Sequence, residues 1–282
     1  MTTLLSPQRE RWLLFTLAGI QFTSVLDFMI MMPLGPQLTK LFGISAGEFG
    51  FLVSAYTFSA GLSGLLASTY IDRFGRKRMM LTLYPLFGAA ALACSFAPSF
   101  AWLIVARVAS GFFGGVLMAI SQTIVAEVVP FDRRGRAMSV VMTSFSVATV
   151  AGVPLALFLA SRINWHAPFL AIALMVVVLL VVAASTLPSL KDHLNAHPLG
   201  EAAPSLLANL RLVLVDPNHL KAYAMSASMV FAAFAVIPYL TLYLQANAGF
   251  ESDQIPYVYL FGGVCTLVSA RYVGRWSDRA GK

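Results

Sequence analysis

Of the 282 residues, 59% are hydrophobic and only 11% charged, whereas soluble globular chains carry about 25% charged and about 45–50% apolar residues. That is too little polar surface for a water-soluble particle of this length, which excludes a cytosolic enzyme. Lys and Arg number 19 against 12 Asp and Glu, a net charge of +7, but in so apolar a chain this reads as loops facing one side of a membrane, not as a nucleic-acid surface.

A membrane-crossing helix needs about 20 predominantly apolar residues. Stretches free of charge, trimmed at turn residues, predict eight helices: 13–34, 47–71, 79–97, 102–125, 137–160, 167–187, 219–244 and 255–273. Apart from Glu48 at the very start of the second, the only acid within these ranges is Asp27, in the first. The third and fourth are divided at Ala97-Pro98-Ser99, because proline disfavours a helical residue before it. The long polar break at 188–218 contains Pro188, Pro198, Pro204 and Pro217. It predicts a six-helix transmembrane bundle over 1–187, a cytoplasmic linker over 188–218, and the incomplete start of a second bundle over 219–282. The first helix is too long, and followed by too many others, to be a cleaved signal peptide.

Loop charges test this map independently. With the N-terminus inside, 16 of the 19 basic residues fall on the cytoplasmic side, Lys40 and Arg162 fall outside, and Arg107 lies within the membrane. Such asymmetry is what the positive-inside rule requires. The expected location is the cell (inner or plasma) membrane, multi-pass, with a cytoplasmic N-terminus. Cys94 and Cys265 both sit in apolar runs and build neither a disulfide framework nor a metal cluster. His193 and His197 lack a third ligand, so no metal site is expected. No phosphate-loop pattern G-x-x-x-x-G-K-[ST] occurs, which excludes ATP-driven transport within this chain.

An internal repeat follows from the loops. Asp72-Arg73-Phe74-Gly75-Arg76-Lys77 follows the second helix, and Gly274-Arg275-Trp276-Ser277-Asp278-Arg279-Ala280-Gly281-Lys282 follows the eighth. Both carry D-R-x-G-[RK]. A reversal this short favours a glycine able to take positive φ, while the basic residues hold the loop at the cytoplasmic face. Parallel repeats are a recurrent transporter plan. Three more segments stand in register: Leu103-Ile104-Val105-Ala106-Arg107 with Gly111, the run Pro130 to Ala137, and Trp165 to Phe169.

These motifs resemble the major facilitator superfamily, in its proton antiporter-like drug and sugar efflux branch. The departures are Ser68 for the first glycine of the first loop signature and His166 for an arginine after Trp165. The resemblance implies an all-α polytopic membrane protein: a six-helix N-terminal bundle plus the first two helices of a second. The family has twelve helices and this chain stops inside the second loop signature, so C-terminal truncation is expected, and such a chain is expected not to transport alone. By the same resemblance, Asp72 leans on a later helix, and Asp278 seeks the start of helix five near Gly135 to Ala137.

Asp27 is the most informative residue. A carboxyl near the centre of a spanning helix costs roughly 2.5–3.5 kcal/mol on insertion scales, so such groups face a cavity and serve a pathway. It is the candidate for proton exchange with the two sides in turn. Arg107 must likewise find carboxylate, carbonyl or water partners; the resemblance implies a part in proton coupling or substrate carriage. Met31, one turn beyond Asp27, is a candidate for an adaptable apolar wall, with core packing the alternative. Gly152 and Pro154 are the candidate pivot of helix five, although Val153 interrupts the Gly-Pro pair that the family's antiporters show and Ala148 and Ala156 stand where glycines are common.

The expected function is secondary active transport, namely proton-coupled efflux of a small drug-like or sugar-like molecule by alternating access. The alternatives are a proton-linked uptake symporter, or a non-transporting membrane receptor or assembly subunit. The expected partners are a small-molecule substrate, protons and the lipid bilayer, with no nucleic acid; the protein is expected to be a monomer. Neither an enzyme activity nor a cofactor is expected, since no nucleophile–base or metal constellation appears.

Overall fold

The computed structural model describes residues 6–71, 74–188, 215 and 217–280, excluding side chains over 68–70, 266–267 and 270–280. Every regular element among them is helical. Asp72, Arg73, Gly281 and most of the 188–218 linker, with His193 and His197, lie outside the described residues.

Helix α1 (Pro7–Ile30) is capped by Ser6, whose hydroxyl accepts from the Arg9 amide at 3.4 Å. It was expected to run to residue 34 but ends at Ile30, four residues before the short α2 (Gly35–Phe42). Pro33 and Pro36 are the reason: neither has an N–H to give, and each ring crowds the carbonyl four residues earlier. Gly43 closes α2 at φ 63°, a left-handed cap that glycine adopts without strain. A capping box starts α3 (Ala46–Tyr70): the Ser45 amide donates to Glu48 Oε2 at 2.8 Å and the Glu48 amide donates to Ser45 Oγ at 3.2 Å.

Helix α4 (Arg76–Ser95) begins at Gly75, whose φ of −62° uses none of glycine's special freedom, so the expected positive-φ reversal is not made there. Ser99 caps α5 (Phe100–Val128) by accepting from the Trp102 amide at 3.3 Å. Helix α6 (Phe131–Val147) starts directly after Pro130, so Asp132 to Arg136 lie in its first turns, not in a loop. Asp132 there suits the positive end of the helix dipole. The fifth span was expected as one helix over 137–160 with a candidate pivot at Gly152 and Pro154. Instead a π-turn at Ala148–Gly152 joins α6 to α7 (Val153–Arg162). Pro154 has no N–H for the Val150 carbonyl, which favours a local widening of the helix.

Helix α8 (Ala167–Thr186) is followed, after the linker, by α9 (Pro217–Val236). Pro238 breaks the expected seventh helix into α9, a 3-10 turn at Ile237–Tyr239 and α10 (Leu240–Asn247). Last comes α11 (Ile255–Ala280). Seven helical stretches among the described residues are long and apolar enough to cross a membrane, and Ile255–Cys265 within α11 is a shorter apolar one. The chain is a multi-pass membrane protein.

Contacts at both ends set α8 antiparallel to α1 and to α4. Thr16 meets Thr186 at 2.9 Å near the start of α1, whereas Ser95 Oγ donates to the His166 carbonyl at 3.1 Å at the opposite face. Lys77 Nζ donates to the carbonyls of Ala184 (2.8 Å) and Leu187 (2.7 Å), capping the negative end of α8. The tightest approach is α3 on α5, where a Cβ at Gly111 would run into the Tyr56 backbone and one at Gly115 into Ala60. Small residues at a helix crossing are how spanning helices gain close van der Waals contact. Helix α11 packs its Gly263 on the π-turn, against Val150.

Candidate functional site

The α3–α5 approach carries Arg107 toward α1. Its Nη1 donates to Asp27 Oδ2 at 2.8 Å, and both side chains are fully buried. The same nitrogen donates to the Asp27 carbonyl at 3.1 Å. The guanidinium carbon lies 4.4 Å from the centroid of the Tyr56 ring, a cation–π contact. Tyr56 in turn donates its hydroxyl to the Ser24 carbonyl at 3.3 Å, tying α3 to the turn of α1 before Asp27.

The pair is sealed but not saturated. Asp27 Oδ1, Arg107 Nε and Nη2, Ser110 Oγ and Gln21 Oε1 are buried without a hydrogen-bond partner among the described residues. Cys94 of α4 lies beside Arg107 and Ser110. A buried charge persists only if paired, and each idle polar atom costs free energy. Asp27 therefore has a free oxygen ready for a proton. Taking one on Oδ1 would cancel its charge and leave Oδ2 a neutral acceptor, so that Arg107 keeps its hydrogen bonds and loses the ion pair. The π-turn leans on this part of α1: Thr149 Oγ1 donates to Met29 Sδ at 3.5 Å, and a Cβ at Gly152 would come within 3.1 Å of Leu26 and Phe22. Pro154 stands two residues further along, in the first turn of α7. Met31 is wholly buried in the core, so its position is one of packing.

The loop residues form a second group at the face where α1 begins. Arg76 is 2% exposed; its Nε (2.9 Å) and Nη2 (2.7 Å) both donate to Glu127 Oε1, and its Nη1 donates to the Ile71 carbonyl. Thus Arg76, expected as a surface charge, instead clamps the start of α4 to the end of α5. Arg133 Nη2 meets Glu10 Oε2 at 3.1 Å, joining α6 to α1. Gly274, Asp278 and Arg279 lie on the backbone of α11, and their side chains are outside the described residues.

Sequence reasoning brought Asp27 and Arg107 forward separately; the structure brings them together. It missed Tyr56 and Glu127. Glu127 had a signal, since it is the lone acid between Asp72 and Asp132 and stands at the end of a span. Tyr56 had none, because an aromatic in an apolar helix is ordinary. A groove of about 470 Å³ lies elsewhere, beside Ser95, Leu159 and His166, and its mainly apolar walls do not reach the ion pair.

The chain belongs to the Major Facilitator Superfamily, whose pattern matches residues 17–282. It is 27% identical over 266 residues to an uncharacterized transporter of this type, YtbD, from Bacillus subtilis, covering 94% of this chain and 65% of that one. It is 29% identical over 259 residues to a chloramphenicol resistance protein of Streptomyces lividans, covering 90% and 63%. A purine ribonucleoside efflux pump of Salmonella paratyphi A is 29% identical over 247 residues, covering 87% and 59%. Among solved structures, a bacterial homolog of the human lysosomal transporter Spinster superposes with a TM-score of 0.75 at 15% identity, covering 98% of this chain and 64% of that one. The chain thus spans 59–65% of the length of these relatives.

Proposed function

We propose that this protein is a proton-coupled secondary transporter that exports a small organic molecule, drug-like or sugar-like, by alternating access. The observation that carries the reading is the buried Asp27–Arg107 pair, whose second carboxylate oxygen and remaining guanidinium nitrogens have no partner. When Asp27 is ionised, the pair fastens α1 to α5. When it takes a proton, the charge that held Arg107 is gone and α1 is loosened against α5. Alternating exposure of Asp27 to the two sides then couples proton entry to substrate exit.

The names of the relatives support the direction and the kind of cargo: one confers chloramphenicol resistance and another pumps purine ribonucleosides outward. The loop-charge asymmetry supports a cytoplasmic N-terminus in the inner or plasma membrane. In this reading residues 1–187 act as one bundle and 219–282 begin the other, with 188–218 as the cytoplasmic linker and the monomer as the working unit. Gly152 and Pro154, at the π-turn beside Asp27, serve as the pivot. The loop residues Asp72, Arg73, Gly75, Arg76 and Lys77, with Gly274, Asp278, Arg279 and Gly281, steady the cytoplasmic ends.

The test is uptake of radiolabelled chloramphenicol and adenosine into everted vesicles from cells producing residues 1–282 within a chain of the relatives' full length, with and without an imposed proton gradient. Accumulation that needs the gradient and is lost in Asp27→Asn supports the reading. Gradient-driven accumulation unchanged in Asp27→Asn sinks it.

A further inference from the structure

We infer that the groove between α7 and α8 is a binding site for an anionic phospholipid, with one acyl chain along the groove and the phosphate at Arg162. The inference goes beyond the transport reading and does not depend on which molecule is carried.

The groove, of about 470 Å³, is built from the first bundle, and none of α9, α10 and α11 lines it. Leu159 and Ile163 at the end of α7 form one wall. Ala167, Leu170, Ala171 and Leu174 form the other. Their spacing of i, i+3, i+4 and i+7 makes one stripe of α8, about 10 Å long. Ile163, Leu170 and Leu174 are exposed, so the groove opens to the hydrocarbon around the bundle and not to its interior.

Polar atoms gather at one end, the face opposite the N-terminus. There α4 closes the groove with Ser95 and Phe96. Ser95 Oγ donates to the His166 carbonyl at 3.1 Å, and His166 Nδ1 donates to the Ser95 carbonyl. These reciprocal bonds fix the back of the groove. Asn164 Oδ1 accepts from the amides of His166 and Ala167, each at 3.1 Å, which leaves its NH₂ to donate. A groove that is apolar along its length and polar where it meets the membrane face has the profile of a lipid.

Charge chooses the headgroup. Arg162, one position before Ile163, ends α7, and its guanidinium carbon lies 5.5 Å from the centroid of the Phe158 ring, one turn back toward the hydrocarbon. No Asp or Glu occurs between Asp72 and Glu127 or between Asp132 and Asp192. The three helices that line the groove thus bring a permanent cation to its mouth and no acid to balance it. The phosphate of a lipid whose chain fills the groove supplies that balance. A zwitterionic lipid carries its own cation beside the phosphate, and free phosphate leaves the apolar walls uncovered. The site also bears on the span it flanks. Helix α7 is the arm beyond the π-turn, and a chain lodged between it and α8 braces that arm from the lipid side.

Photolabelling in nanodiscs tests the site, with residues 1–282 within a chain of the relatives' full length. The probe is phosphatidylglycerol with a diazirine on one acyl chain, diluted in phosphatidylcholine, and crosslinked peptides are identified by mass spectrometry. Label is expected to concentrate on 159–174. Unlabelled phosphatidylglycerol should displace it, and phosphatidylcholine or inorganic phosphate should not. Arg162→Gln should weaken labelling there about 5-fold and Arg162→Lys should retain it, since one cation beside anionic lipid is worth about that factor. Ala171→Trp fills the apolar channel and should remove the label while the protein stays monodisperse on size-exclusion chromatography. If that variant does not fold, the two substitutions at the exposed Arg162 decide alone. Label spread evenly over the lipid-facing helices, equal labelling by a phosphatidylcholine probe of the same chain, displacement by inorganic phosphate, or unchanged labelling in Arg162→Gln would each overturn the site.

Discussion

Two arginine–carboxylate pairs brace the same bundle, and their construction differs. Arg76 engages all its nitrogens, two on Glu127 and one on the Ile71 carbonyl, and Glu127 remains 28% exposed. Arg107 and Asp27 are sealed from both sides, yet one nitrogen does all the hydrogen bonding while three atoms of the pair stand idle. Burial alone does not distinguish these arginines. Saturation does. A saturated pair at a membrane face has no second arrangement of similar energy, so it holds helices in place. An unsaturated pair in the interior has atoms to offer a proton or a new partner, which is what a switch requires.

The sharpest way to break this contrast is Asp27→Asn. Its amide oxygen can still accept from Arg107, so folded protein should persist on size-exclusion chromatography. Gradient-driven flux should fall by about two orders of magnitude or more, because the titrating group is gone. Full coupled flux would place Asp27 among the braces. Arg107 sharpens the point: flux should fall further in Arg107→Ala than in Arg107→Lys, since lysine keeps a charge for Asp27. Should both fail equally in vesicle assays, the planar fork lying on Tyr56, and not the charge, is what matters.

Arg76→Ala should do the reverse. Breaking a buried pair costs about 3–5 kcal/mol, so the melting temperature should drop by several degrees while proton dependence per folded molecule stays unchanged. A lost proton dependence would make this pair a switch too. The glycines give the smallest effects. Gly111→Ala drives a methyl into the Tyr56 backbone and should cost about 1–3 kcal/mol, with flux reduced as Tyr56 shifts off Arg107. At Gly61 a Cβ meets nothing within 4 Å, so Gly61→Ala should raise stability by up to about 1 kcal/mol in the same melting assay.

Much of this architecture was legible in the chain. Charge-free windows of about 20 residues leave the backbone one way to satisfy itself in lipid, and that is a helix. Asp27 and Arg107 stood out because charge is costly there. Their pairing did not, since 80 positions separate them and the approach depends on Gly111 and Gly115 letting α5 meet α3. Tyr56 was silent for a related reason. A helix that is apolar all round, with lipid on one side and protein on the other, has no hydrophilic face to show which way its aromatics point. The stop after Ile30 followed from Pro33 and Pro36, residues that a hydropathy window averages away.

The π-turn has a consequence that residue arithmetic brings out. Before it, Ala137, Val141, Ser144 and Ala148 are buried, a regular helical stripe. An uninterrupted helix would continue that stripe through 155 and 159. The buried positions are instead Gly152, Ala156 and Ala160, each one later than the progression predicts, with Val153 and Leu157 buried beside them, while Leu155 is 63% exposed. The turn thus behaves as a one-residue insertion, about 100° of rotation, that swings Leu155 toward lipid and keeps Gly152, Ala156 and Ala160 inward. Deleting a single residue between 149 and 151 should leave both stripes in phase and remove only the wide turn. The span would then fold, pack and melt much as before, with its hinge taken out.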